Sequence, residues 1–97
     1  EIEVEDADGF TPLNCAARMG NYAAVKLLLG TGEADINRAD KKGNTPLVWA
    51  AKEGHTGVVR LLFNTGKIDN VNAKNDEGET PLFSAVSSNS VETVKML

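Results

Sequence analysis

The chain has 97 residues, 41% hydrophobic and 25% charged, which excludes a disordered polypeptide and allows one domain at most. Its formal net charge is −4 and it has no basic patch that would follow a phosphate backbone, so we expect no nucleic-acid partner. No apolar run approaches the roughly 18 residues of a membrane-spanning helix, so we expect no membrane insertion. Cys15 is the only cysteine, which rules out an internal disulfide and favours the cytoplasm or the nucleus.

One tripeptide occurs three times along the chain. Thr-Pro-Leu stands at 11–13, 45–47 and 80–82, so its copies lie 34 and 35 residues apart, and a glycine precedes each copy by two residues. Self-similarity at this period indicates one structural unit repeated along an axis. The sequence therefore predicts three stacked units rather than one compact fold with a single central core.

Each unit begins with a polar turn and continues into a first helix. The turns, rich in the Asp, Asn and Gly that close tight turns, occupy 5–9, 40–43 and 75–78. The Thr of each tripeptide is a good helix N-cap, and the Pro after it suits the first helical position. We predict first helices over 12–19, 46–53 and 81–88. Residues suited to the left-handed conformation then end them, namely Gly20, Gly54 and Asn89.

The second helix of each unit is the more apolar one. Apolar residues dominate 25–29, 58–63 and 91–97. One position in this helix is always cationic, which predicts its solvated side, and the residues there are Lys26, Arg60 and Lys95. Gly57 is expected to weaken its helix by about 0.5–1 kcal/mol relative to alanine. A Thr-Gly pair, at 31–32 and at 65–66, is predicted to end the first two of these helices.

Taken together, the turn, the Thr-Pro-Leu, the two antiparallel helices and a return through Asp-Ile-Asn or Asn-Val-Asn resemble the ankyrin repeat. The resemblance covers essentially the whole chain. It implies an all-α ankyrin-repeat solenoid of stacked helix-turn-helix units with short β-turn or hairpin connections. In the family a histidine follows Thr-Pro-Leu and commonly joins neighbouring repeats by hydrogen bonds. This sequence has Asn14, Val48 and Phe83 there, which puts this means of joining the repeats in question.

The resemblance makes residues 1–97 a single ankyrin-repeat domain. Its repeats span about 6–39, 40–74 and 75–97, the last of them incomplete. Residues 1–5 align with the tail of a preceding repeat, because Glu-Ile-Glu at the start matches Asp-Ile-Asn at 35–37. Neither end shows the polar capping repeat that repeat arrays need for solubility, so we expect the chain to be a segment of a longer array.

Cys15 and His55 are the pair that invites a nucleophile–base interpretation. They lie on different units and no third group orients them, so we expect no catalysis. One histidine and one cysteine cannot form a four-ligand zinc site, and residues 76–79 lack the alternating oxygen ligands of a calcium loop. We therefore predict no enzymatic activity, cofactor or bound metal. Trp49 is a candidate anchor for a partner, but its register with Cys15 and Ser84 favours packing within the stack.

The resemblance also implies where a partner docks, since partners of ankyrin repeats generally contact the turn tips and the exposed positions of the first helix. The predicted partner-binding residues are Asp8, Phe10, Arg18 and Met19 in unit one, Lys41, Lys42, Asn44, Lys52 and Glu53 in unit two, and Asp76, Glu77 and Glu79 in unit three. This ridge is patterned acid, base, acid, which would set the register of a complementary partner, although turn tips are also charged because they are solvated. Phe10 and Met19 are apolar on the same ridge, which favours a partner.

We therefore interpret the chain as a protein–protein interaction module or scaffold that recognises another protein through the turn tips and the concave first-helix face. It is expected to be monomeric or part of a longer chain. The alternative is a structural spacer within a larger repeat protein, which binds nothing. A spacer should tolerate charge reversal at Lys41 and Lys42, whereas a recognition module should not.

Overall fold

The structure is a computed structural model that describes residues 7–32, 34–69, 71–88 and 91–96. All regular secondary structure in these residues is α-helical, as the repeat pattern predicts. The helices, in chain order, are α1 (Pro12–Met19), α2 (Tyr22–Gly30), α3 (Pro46–Lys52), α4 (Thr56–Asn64), α5 (Pro81–Ser87) and α6 (Val91–Met96). Each unit supplies one odd-numbered and one even-numbered helix, which confirms the stacked helix-turn-helix architecture.

The start of each first helix is fixed by a threonine cap. Thr11, Thr45 and Thr80 all have extended backbones, and each side-chain oxygen accepts a hydrogen bond from the backbone N–H three residues later. This bond satisfies one of the donors that the first helical turn leaves unpaired, and the proline that follows has no N–H to satisfy. The predicted N-caps are confirmed.

The ends of the first helices are close to those predicted. α1 ends at Met19, and Gly20 follows in the left-handed conformation at φ 70°. α3 ends one residue before the predicted end, because Glu53 already leaves the helical conformation ahead of Gly54 at φ 74°. α5 likewise ends one residue early, at Ser87. The predicted stop at Asn89 lies outside the described residues.

The second helices end at the predicted Thr-Gly pairs. Thr31 and Thr65 are the C-caps of α2 and α4, and the glycines after them have φ values of 75° and 69°. These helices begin before their apolar runs do. Asn21 caps α2 by accepting the N–H of Ala24 at 3.1 Å, whereas His55 occupies the N-cap of α4 without a capping bond.

The six helices form two layers. α1, α3 and α5 pack side by side in the first layer, and α2, α4 and α6 pack behind them. Small residues at the centres of the first helices, Ala17, Ala51 and Ala85, are fully buried, which lets these helices approach closely. The core between the layers is completed by apolar residues, namely Leu13, Val25, Leu47, Val58, Val59 and Leu62.

Hydrogen bonds between backbones join the turns of adjacent units. The N–H of Lys41 donates to the carbonyl of Asp8 at 3.1 Å, and the N–H of Asp76 donates to that of Lys42 at 2.8 Å. Inside the second turn, Asp40 Oδ1 accepts the N–H groups of Lys42 and Asn44, both at 2.9 Å. The turn tips therefore form one continuous, braced row of backbone.

The position of the signature histidine is used differently in each unit. Asn14 is fully buried, and its Nδ2 donates to the carbonyl of Arg38 at 3.3 Å, so it still bonds the segment that leads to unit two. Val48 is fully buried and apolar, and Phe83 is largely exposed. Of these three residues, Asn14 alone retains a side-chain hydrogen bond at this position.

The third unit exposes side chains that the first two units bury. Leu82 is 42% exposed and Val86 59%, whereas the residues at the same register in α3, Leu47 and Ala51, are at most 3% exposed because unit three covers them. The surface of α5 is therefore the equivalent of a covered repeat interface. The expectation that the chain belongs to a longer array stays a prediction.

Gly57 offers a direct test of the second-helix assignment. It lies in the first turn of α4, and a Cβ placed on it would meet only Tyr22 Cδ2, at an ordinary contact distance of 3.7 Å. Gly57→Ala is expected to raise the free energy of unfolding by about 0.5–1 kcal/mol, because alanine loses less backbone entropy on folding. Urea denaturation measures this change. A loss of stability would contradict the assignment of Gly57 to an unstrained helical position.

Candidate recognition groove

The turn tips and first helices of units one and two enclose a cleft of about 250 Å³. We call it the cationic cleft, and the described residues that line it are Asp8, Phe10, Arg18, Asp40, Lys41, Lys42 and Trp49. Phe10 precedes the cap of α1, Arg18 lies in its last turn, and Trp49 lies at the middle of α3. The braced turn row holds the two lysines at the rim.

Trp49 is the centre of this cleft. Its ring packs against Phe10, with centroids 5.5 Å apart and planes tilted by 45°. The Arg18 guanidinium lies 4.8 Å from the Trp49 ring and 5.5 Å from the Phe10 ring, and Lys52 Nζ lies 5.5 Å from the Trp49 ring. These are cation–π distances, so the aromatic pair holds two cations in place.

Asp40 links the tryptophan to the second turn. Trp49 Nε1–H donates to Asp40 Oδ2 at 2.9 Å, while Asp40 Oδ1 receives the two turn N–H groups already described. Asp40 is only 7% exposed, so its carboxylate is occupied by the protein's own donors. This acid is therefore a structural part of the cleft.

A second cleft, of about 380 Å³, continues the first along α1. We call it the Met19 cleft, and it is lined by Phe10, Cys15, Arg18, Met19 and Glu53. Met19 is 77% exposed, a large apolar side chain in solvent at the end of α1. Phe10 and Arg18 belong to both clefts, so the two form one groove over the first-helix layer.

The structure brings together seven of the predicted partner-binding residues. Those that line one cleft or both are Asp8, Phe10, Arg18, Met19, Lys41, Lys42 and Glu53. Lys52 lies beside the groove, over Trp49, and its Nζ is 3.7 Å from Glu79 Oε1. Asp76 and Glu77 are exposed at the third turn and line neither cleft.

Asn44 needs a correction. The prediction places it on the exposed ridge, but it is 3% exposed, and its Oδ1 accepts a hydrogen bond from Asn75 Nδ2 at 2.8 Å. The same Asn75 amide donates to Glu79 Oε1 at 2.8 Å within the third unit, and Glu79 is half-buried. Asn44 therefore stabilises the junction between the second and third turns, whereas Glu79 stabilises the third turn itself.

Trp49 packs against the neighbouring unit, as predicted, and it also lines the groove. It belongs to unit two, is largely buried, and contacts Phe10 and Arg18 of unit one. The sequence spacing could have indicated that Trp49 lines the groove, since it lies three residues before Lys52 and shares its helix face. Cys15 stands in the same relation to Arg18, and it too lines the groove.

The residues weighed for catalysis have other contacts. Cys15 lines the Met19 cleft, and His55 Nε2 is 3.0 Å from the carbonyl oxygen of Arg18, to which it donates because a carbonyl only accepts. No group of three His, Cys, Asp or Glu residues in the described parts of the chain is arranged to hold a metal ion. None of the described helices has the length and apolar character needed to cross a membrane.

Comparison with protein-family models gives two matches. The model described as ankyrin repeats, in three copies, matches residues 32–97, and the model of the single ankyrin repeat matches residues 8–41. The first match alone covers more than half of the chain. No curated protein matches the chain.

Proposed function

Because this chain belongs to the ankyrin-repeat family, whose repeats generally serve as protein–protein interaction modules, we propose that it recognises another protein through its groove. Turn tips and first helices supply that surface, and the second-helix layer supports it from behind. The proposal includes no chemical step. We propose further that it acts as a monomer or within a longer chain. We also propose that it acts in the cytoplasm or the nucleus, because its single cysteine forms no internal disulfide.

One observation carries the proposal. Phe10 packs against Trp49 in the cationic cleft and lies beside Met19 in the Met19 cleft, and none of the three belongs to the buried core cluster. Aromatic and methionine side chains are enriched at the buried centres of protein interfaces, where they supply large contact areas. A structural spacer gains nothing from such side chains on its first-helix face, so the observation favours recognition.

Site-specific photo-crosslinking tests this proposal. A photoreactive amino acid replaces Met19 in the protein expressed in its own cells, and a matched variant carries it at Leu27. Leu27 is 73% exposed and Met19 77%, but Leu27 lies on α2, in the other layer. We expect a defined cross-linked partner protein from position 19 and none from position 27.

The two positions separate the alternatives. Cross-linking from position 27 alone would move recognition to the outer helices and contradict the groove. A lack of cross-links from both positions would favour the structural spacer. Reversal of charge at Lys41 and Lys42 supplies the same distinction, because it should abolish the cross-link from position 19 in a recognition module.

A further inference from the structure

The groove gathers cations in a chain whose formal net charge is −4. Arg18, Lys41 and Lys42 line the cationic cleft, and Lys52 lies over the Trp49 ring. Asp40, which also lines this cleft, is buried and accepts hydrogen bonds from three donors. Among the described residues of this lining, Asp8 is the exposed acid, so the exposed cations outnumber the exposed acid.

Three of these cations are available for a ligand. In the parts of the chain that the structure describes, no carboxylate forms an ion pair with Arg18, Lys41 or Lys42, whereas Lys52 pairs with Glu79. Arg18 is exposed but held over two aromatic rings, so its planar guanidinium loses little further freedom on binding. A guanidinium fixed in this way suits the two oxygens of a carboxylate.

The neighbouring Met19 cleft restricts the kind of anion. Phe10 and Arg18 lie in both clefts, so a ligand whose charge reaches Arg18 also lies beside Phe10, Cys15 and Met19. A free phosphate would leave the apolar side chains of Phe10 and Met19 in water. A nucleic-acid backbone would bring its phosphates towards Asp8 and Glu53 as well as the lysines. A peptide combines carboxylates with a bulky apolar side chain at close spacing.

We propose that the groove binds an acidic peptide segment of the partner protein. One carboxylate of the segment bonds Arg18, others pair with Lys41 and Lys42 at the rim, and one bulky apolar side chain packs between Phe10 and Met19. This inference rests on the proposed function and specifies the chemistry of the partner.

The single tryptophan of the chain makes the test direct, because Trp49 lies inside the groove. The probe is a synthetic peptide of glutamates with one central phenylalanine and blocked ends. We expect a saturable change in Trp49 fluorescence on titration. The expected loss of affinity is about tenfold or more when glutamine replaces the glutamates, because the charge pairs disappear, and a smaller loss follows when alanine replaces the phenylalanine.

Two double variants with the same change in net charge identify the site. Lys41→Glu with Lys42→Glu alters the groove rim, and Lys26→Glu with Arg60→Glu alters exposed positions on the outer helices α2 and α4. The double variant at Lys41 and Lys42 is expected to lower the affinity for the peptide by about tenfold or more, and the double variant at Lys26 and Arg60 by less than about twofold. Unchanged far-UV circular dichroism controls for folding in both.

Each contrary outcome overturns the inference. Equal weakening by the two double variants would mean that overall charge, not the groove, attracts the peptide. Equally tight binding of a single-stranded oligonucleotide of the same charge would remove the peptide specificity. If the peptide fails to bind at millimolar concentration while position 19 still cross-links a partner, the acidic chemistry is wrong and recognition stands. If the peptide does not bind and position 19 also cross-links no partner, the proposed function is wrong as well.

Discussion

Replacement of Leu62 by alanine is expected to lower the free energy of unfolding by about 2–5 kcal/mol. Leu62 lies in α4, the middle helix of the second layer, and is fully buried in the core. The change removes buried apolar surface and leaves a cavity that neighbouring helices fill only in part. In a stack of repeats the middle unit supports both neighbours, so the loss spreads to two interfaces.

Chemical denaturation measures this effect, and Leu27→Ala is the matched control. Leu27 undergoes the same chemical change, also in a second-layer helix, but its side chain is 73% exposed. We expect its free energy of unfolding to change by no more than about 0.5 kcal/mol. Similar losses in the two variants would contradict the assignment of Leu62 to the core and Leu27 to the surface.

The local signals in this sequence were sufficient for the fold. Thr11 and Gly20 delimit α1 through interactions within a few residues, a hydroxyl on a backbone N–H and a left-handed backbone, and both can be inferred from residue type and spacing. The threonine cap recurs in all three units, and the left-handed glycine recurs in the first two. The ends of α3 and α5 were less accurate, because Glu53 and Ser88 leave the helix through gradual backbone changes that no residue type marks.

The groove was predicted less completely, because its geometry depends on contacts between units. Lys42 and Arg18 are 24 residues apart in the sequence and line one cleft only after stacking. From the sequence Asn44 looks like an exposed turn residue, but Asn75 of the next unit donates a hydrogen bond to its Oδ1, and Asn44 is buried. Trp49 packs between units as the sequence predicted, but its place in the lining of the cationic cleft depends on Phe10 and Arg18 of the neighbouring unit.

Gly20→Ala is expected to cost about 2–4 kcal/mol of unfolding free energy, more than Gly54→Ala at the same register. Both glycines are left-handed, with φ values of 70° and 74°, so both variants strain the backbone by about 1–2 kcal/mol. The surroundings differ. A Cβ on Gly20 would lie 2.6 Å from Cε1 and 2.7 Å from Cγ of the His55 ring, while a Cβ on Gly54 meets nothing within 4 Å.

The additional loss at Gly20 has a specific cause, because the new methyl group displaces the His55 ring. That ring donates a hydrogen bond to the Arg18 carbonyl, one of the groups that the end of α1 leaves without a helical partner, and so joins unit two to unit one. A double-mutant cycle with His55→Ala isolates this contact. Once the ring is absent, Gly20→Ala should cost no more than Gly54→Ala does. If its cost stays higher in the His55→Ala background, the difference between the two glycines has an origin other than His55.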